Sequence, residues 1–170
     1  FNFGQPWGYG DEIADDEYDF ASTVMHDPIH TFGFTAGMRA PGLNTRNYWS
    51  TFNSFIVDEN GRSPFTRFFY RWNSAFDDNL TGGSGGLYLG GQNAMAAFGG
   101  QLVPLYTPNP WEQGSSVGHL DDNTFVAPYE QLMNALSGTG LGIRTLSAVE
   151  MGILRDLGYT VHSYNVAWGF

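Results

Sequence analysis

The strongest structural signal in this sequence is the segment His26-Asp27-Pro28-Ile29-His30-Thr31-Phe32-Gly33-Phe34. Asp19 is a suitable N-cap upstream of it, apolar residues recur at helical spacing, and Gly33 offers a C-terminal stop. The pattern predicts a helix over about 19–32. Because side chains four residues apart project from the same face of a helix, His26 and His30 can direct ring nitrogens at one ion.

A catalytic zinc site needs three protein ligands and one open position, so a third ligand must come from elsewhere in the chain. The sequence contains no Cys, which leaves His and carboxylates as ligands. His119 is the strongest candidate, because it lies in a loop of small residues that gives a buried His no apolar reason to be there. His162 is a weaker candidate. The two residues His26 and His30 alone leave open an accidental pair on a packed helix.

The opening segment resembles the HExxHxxGF core of metzincin metalloproteases, in which the chain turns at a Gly after the second His; here that residue is Gly33. Short-spaced metzincins carry their third ligand at the position of Ala36, so the compact motif does not apply. Leishmanolysin-like metzincins place a long insertion before the third His, and His119 matches that ligand. Met133, in Leu132-Met133-Asn134, resembles the Met of the family's Met-turn, which forms an apolar floor beneath the zinc.

Further stretches, taken in order, resemble a family of secreted bacterial metalloproteases of this kind: 48–61, 90–106, 114–122 and 154–159. The resemblance implies an α+β fold, Zn²⁺ on three His, and a protein or peptide substrate outside the cell. It also implies one metzincin-like domain over residues 1–170. Its parts are the zinc helix, an insertion at 38–113, the third ligand and Met-turn at 114–137, and a C-terminal helix at about 147–157.

The sequence departs from the family at the catalytic position, where Asp27 replaces a Glu that acts as general base on the attacking water. Asp is one methylene shorter, which draws the carboxylate back by about 1.5 Å. Since a displacement near 1 Å can cost on the order of a hundredfold in rate, we expect weakened catalysis and better-preserved metal binding. Pro28 removes a backbone donor within the helix, which leaves two alternatives: the helix tolerates a kink, or His26 is tilted away from His30 and the site is degenerate.

Metzincins place a mostly parallel sheet upstream of the first ligand, and here the first ligand is already residue 26. The resemblance therefore implies a domain that lacks most of the N-terminal sheet subdomain, with the missing portion supplied by another chain or by self-association. An open sheet edge pairs readily with another chain. The second hypothesis is accordingly a catalytically impaired, protease-derived structural subunit that self-assembles into an extracellular polymer or fibril through its aromatic termini and open edge.

Composition narrows the classes of partner. The chain has 17 acidic residues and seven basic ones, all Arg, for a net charge of −10, which disfavours nucleic acid and anionic membranes. The acidity and the absence of Lys favour a secreted protein. Asp121 and Asp122, or the acidic cluster at 11–17, are candidates for calcium, although neither has the alternating oxygen donors of an EF-hand loop.

Two other patterns predict secondary structure. Ser147-Ala148-Val149-Glu150 is a capping box followed by an apolar stripe that Gly158 closes, which predicts the C-terminal helix. Short strands are predicted at 87–89 and 103–106, in a region where Pro and Gly keep regular elements short.

Overall fold

The computed structural model describes residues 2–162. Helices and short strands alternate along them, which agrees with a mixed α+β class. The strands have two residues each and form two sheets. One is a parallel pair, β1 (Trp7–Gly8) with β2 (Tyr18–Asp19); the other is antiparallel with the order β3 (Ile56–Val57), β4 (Tyr88–Leu89), β5 (Val103–Pro104).

Helix α1 (Phe20–Thr31) follows β2 directly and confirms the predicted helix. The Asp19 side chain caps its N-terminus by accepting from the backbone N–H of Ser22 at 3.1 Å. At the other end Gly33 has a φ of +97°, a conformation that few residues other than glycine adopt readily, and the chain turns there.

Pro28 lies inside α1 without ending it. A proline there deprives the carbonyl of Val24 of its helical donor, but both residues are exposed, so water can replace the lost hydrogen bond. Of the two alternatives, the helix tolerates Pro28, and His26 is not tilted away from His30, because the two Nε2 atoms lie 3.0 Å apart.

Helix α4 (Ala148–Asp156) confirms the capping box, with both reciprocal hydrogen bonds between Ser147 and Glu150 present. It packs against the short helix α3 (Gln92–Ala97), and Gly152 makes the contact possible, since a Cβ there would lie 2.6 Å from the carbonyl oxygen of Asn93. The Asp156 carboxylate accepts from the backbone N–H groups that begin α3. The two helices therefore form one unit.

The predicted strands at 87–89 and 103–106 are present but shorter, as β4 and β5. The stretch between α1 and β4 contains helix α2 (Thr51–Ser54), β3, and three 3₁₀ helices, Ser74–Phe76, Asp78–Thr81 and Gly83–Gly85. Apolar residues from this stretch, from the antiparallel sheet and from α4 share one buried core with Phe34, Leu120 and Met133. Within residues 2–162 no helix is long and apolar enough to cross a membrane.

Candidate metal centre

Three histidines from two distant parts of the chain meet at one point. His26 and His30 come from one face of α1, and His119 comes from the loop after β5. The Nε2 atom of His26 lies 3.0 Å from that of His30 and 3.2 Å from that of His119. Ligand nitrogens around one tetrahedral zinc ion are about 3.3 Å apart, given Zn–N bonds of about 2.0–2.1 Å. The three rings are therefore close enough to hold a metal ion.

The opposite nitrogen of each ring contacts a backbone carbonyl. Nδ1 of His26 lies 2.7 Å from the oxygen of Leu132, Nδ1 of His30 lies 2.7 Å from that of Phe34, and Nδ1 of His119 lies 2.9 Å from that of Ser115. A carbonyl oxygen only accepts, so each neutral ring keeps its proton on Nδ1 and presents a lone pair at Nε2. Three lone pairs that converge at such distances repel one another unless a cation lies between them.

At neutral pH a proton on His30 or His119 does not take the place of that cation, because the pKa values of both rings are lowered. Burial, with a further contribution from the neighbouring rings of His30 and His26, lowers the pKa of His119 to about 4 despite the hydrogen bond to the Ser115 carbonyl, which acts in the opposite direction. Burial also lowers the pKa of His30, with a further contribution from His26. These two imidazoles are therefore neutral over the physiological range, which is the form that binds metal.

The loop that presents His119 is strained and firmly held. Val117 has a φ of +64°, which is costly for a β-branched residue, on the order of 1–3 kcal/mol. Its side chain is fully buried, and its N–H donates to the carbonyl of Tyr106 at 2.7 Å. The N–H of Tyr106 in turn donates to the carbonyl of His119 at 3.0 Å. Burial and these hydrogen bonds fix the backbone on both sides of the third ligand.

The carbonyl that orients His26 is fixed by helix α4. Glu150 is fully buried, and its carboxylate accepts from the N–H of Met133 at 2.6 Å as well as from the N–H of Ser147 at 2.7 Å. Leu132, whose carbonyl contacts His26, immediately precedes Met133. The capping-box Glu of α4 therefore also helps to fix the backbone carbonyl that orients the ring of His26.

Asp27 lies on the exposed side of α1, next to the first His. Its carboxylate is near enough to His30 to raise the pKa of that ring, against the larger lowering caused by burial. The negative charge therefore acts at the metal centre, and its exposure leaves the carboxylate accessible to water.

An open cleft of about 280 Å³ adjoins the centre at His30. Thr35, Met38, Trp111 and Ser116 are among the residues that line it. The indole N–H of Trp111 is buried and has no hydrogen-bond partner among residues 2–162, so it is available to a bound acceptor. A smaller cavity of about 110 Å³ lies away from the three His rings and is lined by none of them.

The other residues singled out from the sequence lie elsewhere. Among residues 2–162 the three His form the one group of metal-capable side chains, so His162 is not part of it and the acidic segments form no such group. Asp121 accepts from Thr124, and Asp122 accepts from the N–H groups of Ala135 and Leu136. Met133 is buried in the core beside Leu132, and its role as the floor of the site remains a prediction.

No family model, curated protein or solved structure matches this chain.

Sequence reasoning missed the contacts that orient the rings. The three carbonyls belong to Leu132, Phe34 and Ser115, and a carbonyl is common to every residue, so no side-chain pattern marks it. Trp111 was missed because its position beside His30 arises only when the loop before His119 folds back on the segment after α1. The link from Glu150 to Met133 was missed because a capping box accounts for this Glu without any partner outside its helix.

Proposed function

We propose that this chain is a zinc-dependent endopeptidase-like domain whose substrate is an extracellular protein or peptide. The observation that carries the proposal is the convergence of three imidazoles, each oriented by a backbone carbonyl, at the edge of an open cleft. Three His ligands with an open fourth position are typical of catalytic rather than structural zinc sites. A zinc ion there would act as a Lewis acid and lower the pKa of its bound water to about 7.

The residues around the centre have separable roles in this proposal. His26, His30 and His119 would hold the metal, and Asp27 would take the proton from the attacking water as the general base. The carboxylate of Asp27 is shorter than the Glu of the proteases that the sequence resembles, so we expect binding of metal to be intact and turnover to be slow. The cleft would hold the peptide, with the Trp111 N–H as a donor to a carbonyl or side-chain acceptor.

The decisive experiment combines metal content with cleavage. The purified chain is loaded with zinc, freed of excess metal, and incubated with a mixture of unrelated peptides whose products are identified by mass spectrometry. We expect one zinc per chain and slow cleavage that a chelator abolishes. Asp27→Glu should raise the cleavage rate by up to about a hundredfold, because the carboxylate regains its reach, and Asp27→Asn should remove cleavage while zinc stays bound.

A matched control is His162→Ala, which changes a His outside the centre and should leave zinc content and cleavage unaltered. Cleavage that survives chelation would contradict the proposal. Bound zinc without cleavage, even in the Asp27→Glu variant, would also contradict it and would favour the alternative hypothesis of a protease-derived structural subunit.

A further inference from the structure

Two adjacent phenylalanines in one loop are strongly exposed. We call Arg67, Phe68, Phe69 and Arg71 the basic tip. Phe68 is 88% exposed and Phe69 is 72% exposed. Both arginines are exposed as well, and the guanidinium of Arg71 lies over the ring of Phe69 at 5.7 Å from its centroid. Two adjacent phenylalanines are rarely left in water without reason, which indicates a surface that another molecule covers.

The loop that carries the basic tip is anchored at its base. The N–H of Thr66 donates to the carbonyl of Arg71 at 2.8 Å, and Phe65 and Trp72 form an antiparallel bridge beneath it. The indole of Trp49 donates to the carbonyl of Tyr70 at 2.8 Å. Because the base is already ordered, docking of the tip requires little additional ordering of the backbone.

The basic tip lies in the one basic part of an acidic chain. Five of the seven arginines lie between residues 39 and 71, where the acidic residues are Asp58 and Glu59. The chain as a whole carries a net charge of −10. At physiological salt the tip attracts groups within about 8–10 Å, so its own charges rather than the distant acidic residues select a negatively charged partner.

A second surface has the complementary chemistry. We call Tyr9, Asp11, Glu12, Asp15 and Asp16 the acidic patch, and all five residues are exposed. Tyr9 is 65% exposed, so this surface also combines an aromatic ring with charge. Carboxylates pair with guanidinium groups through charge-assisted hydrogen bonds, and arginines also stack on aromatic rings. The acidic patch therefore offers the contacts that the basic tip would make.

The two surfaces lie at opposite ends of helix α1. The acidic patch precedes the helix and is tied to its N-terminal side, because Arg144 contacts both Asp11 and the cap residue Asp19. The basic tip is tied to the chain that follows the helix, because Ser50, next to Trp49, donates to the carbonyl of Thr35 at 3.3 Å. The 12 residues of α1 span about 18 Å. A contact between the two surfaces therefore joins two molecules.

We infer that the basic tip of one copy docks on the acidic patch of a second copy, so that this chain associates with itself head to tail. Such a contact uses two different surfaces and is not closed by twofold symmetry, so it adds copies in a row. The inference does not depend on the metal centre.

The test is sedimentation velocity over a range of protein concentrations. Three double variants are compared with the wild type: Phe68→Ser with Phe69→Ser, Arg67→Glu with Arg71→Glu, and Asp15→Arg with Asp16→Arg. The matched control is Leu136→Ser with Leu141→Ser, which removes two side chains that are 65% and 64% exposed and lie in neither surface. Circular dichroism confirms that each variant keeps its fold.

We expect the wild type and the control to associate as concentration rises and each of the other variants to remain monomeric. An equimolar mixture of the two charge-reversal variants should associate again, because the unchanged basic tip of the Asp15→Arg, Asp16→Arg variant then meets the unchanged acidic patch of the Arg67→Glu, Arg71→Glu variant. A wild type that stays monomeric at all concentrations would overturn the inference, as would association that survives in all three variants. Tip-dependent binding of the monomer to phosphatidylserine vesicles, without self-association, would also overturn it and assign the tip to a membrane surface.

Discussion

Helices α1 and α4 both begin at a side-chain cap and both contribute to the metal centre, yet they are built differently. In α4 five residues are buried, and Gly152 lets α3 approach closely. In α1 only Ile29 is buried, and Pro28 interrupts its hydrogen bonds. Packing therefore stabilises α4, whereas α1 depends on its cap, on the contacts of His26 and His30 with backbone carbonyls, and on whatever ion the three His rings hold.

The two helices therefore have different roles at the centre: α4 positions a ligand candidate, whereas α1 carries the side chains that would do the chemistry. Helix α4 fixes the Leu132–Met133 segment through Glu150, and this segment orients His26. Helix α1 presents two ligands and Asp27 on a surface with few packing contacts to lose. Elements with few buried contacts are the ones that open most readily, so metal binding and the local stability of α1 should be coupled.

The largest expected effect is on zinc affinity, and it comes from removing His119, the one candidate ligand that lies outside α1. His119→Ala should lower zinc affinity by more than about a hundredfold, since loss of an outer-shell partner alone typically costs 10–100-fold. Competition with a chromophoric chelator measures the change. His162→Ala is the control and should bind as the wild type does. Unchanged affinity in His119→Ala would mean that the convergence of the three rings does not form the site.

The next largest effect is a loss of stability when the contacts of Glu150 in α4 are removed. Glu150→Ala leaves the N–H groups of Met133 and Ser147 without their buried acceptor, at about 1–3 kcal/mol each. We expect the metal-free protein to lose about 2–5 kcal/mol in urea denaturation. Ser147→Ala, which removes only the cap hydroxyl, should lose about 1 kcal/mol. If both variants lose equal stability, the connection from α4 to Met133 contributes nothing beyond the cap.

Removal of the metal tests directly whether metal binding is coupled to the local stability of α1. Zinc at a hundred times its dissociation constant stabilises the protein by about 2.7 kcal/mol. Amide hydrogen exchange, followed by mass spectrometry with and without chelator, should show protection in α1 falling by up to about a hundredfold. Protection in α4 should change much less, because its packing against α3 needs no metal. If α1 and α4 lose protection equally, the two helices unfold as one unit, and metal binding does not stabilise α1 separately.

The sequence predicted α1, α4 and the meeting of His26, His30 and His119 because each has a local or chemically rare signal. Asp19, Gly33 and the capping box at Ser147 mark helix ends, and a chain with four histidines and no Cys offers few other ligand sets. The short strands were predicted in place but too long, because two-residue pairings are set by contacts across the sheet rather than by propensity.

What the sequence could not predict depends on long-range contacts. The sequence did not show that the helix tolerates Pro28. The lost hydrogen bond leaves the carbonyl of Val24 without a donor, and only the structure shows that Val24 is exposed, so that water can satisfy this carbonyl. The pairing of Asp19 with Arg144 spans most of the chain and has no local signature. The cleft beside His30 could not be predicted either, since His30 and Trp111, which both line it, are far apart in sequence.

The smallest expected effect is on the pH dependence of stability. The two carboxylates that cap these helices, Asp19 in α1 and Glu150 in α4, should change stability in opposite directions as the pH rises. Burial by itself raises the pKa of Asp19, but Arg144 and the N–H groups of Ser22 and Gly142 outweigh it and hold the pKa below its usual value. Its contribution to stability is therefore present above about pH 4, the unfolded value, and is lost as the pH falls through the lower folded value. Asp19→Asn should remove this loss.

Glu150 should behave in the opposite way, because burial raises its pKa despite the backbone N–H groups that oppose the shift. The folded state then binds a proton more readily than the unfolded state, so stability gained from this group falls as the pH rises from about 4.3 through the folded value. Thermal unfolding of wild type, Asp19→Asn and Glu150→Gln across pH 3–7, with chelator present, measures both slopes. If both substitutions change the slope of stability against pH in the same direction, the two caps are alike in their electrostatics, and only packing distinguishes α1 from α4.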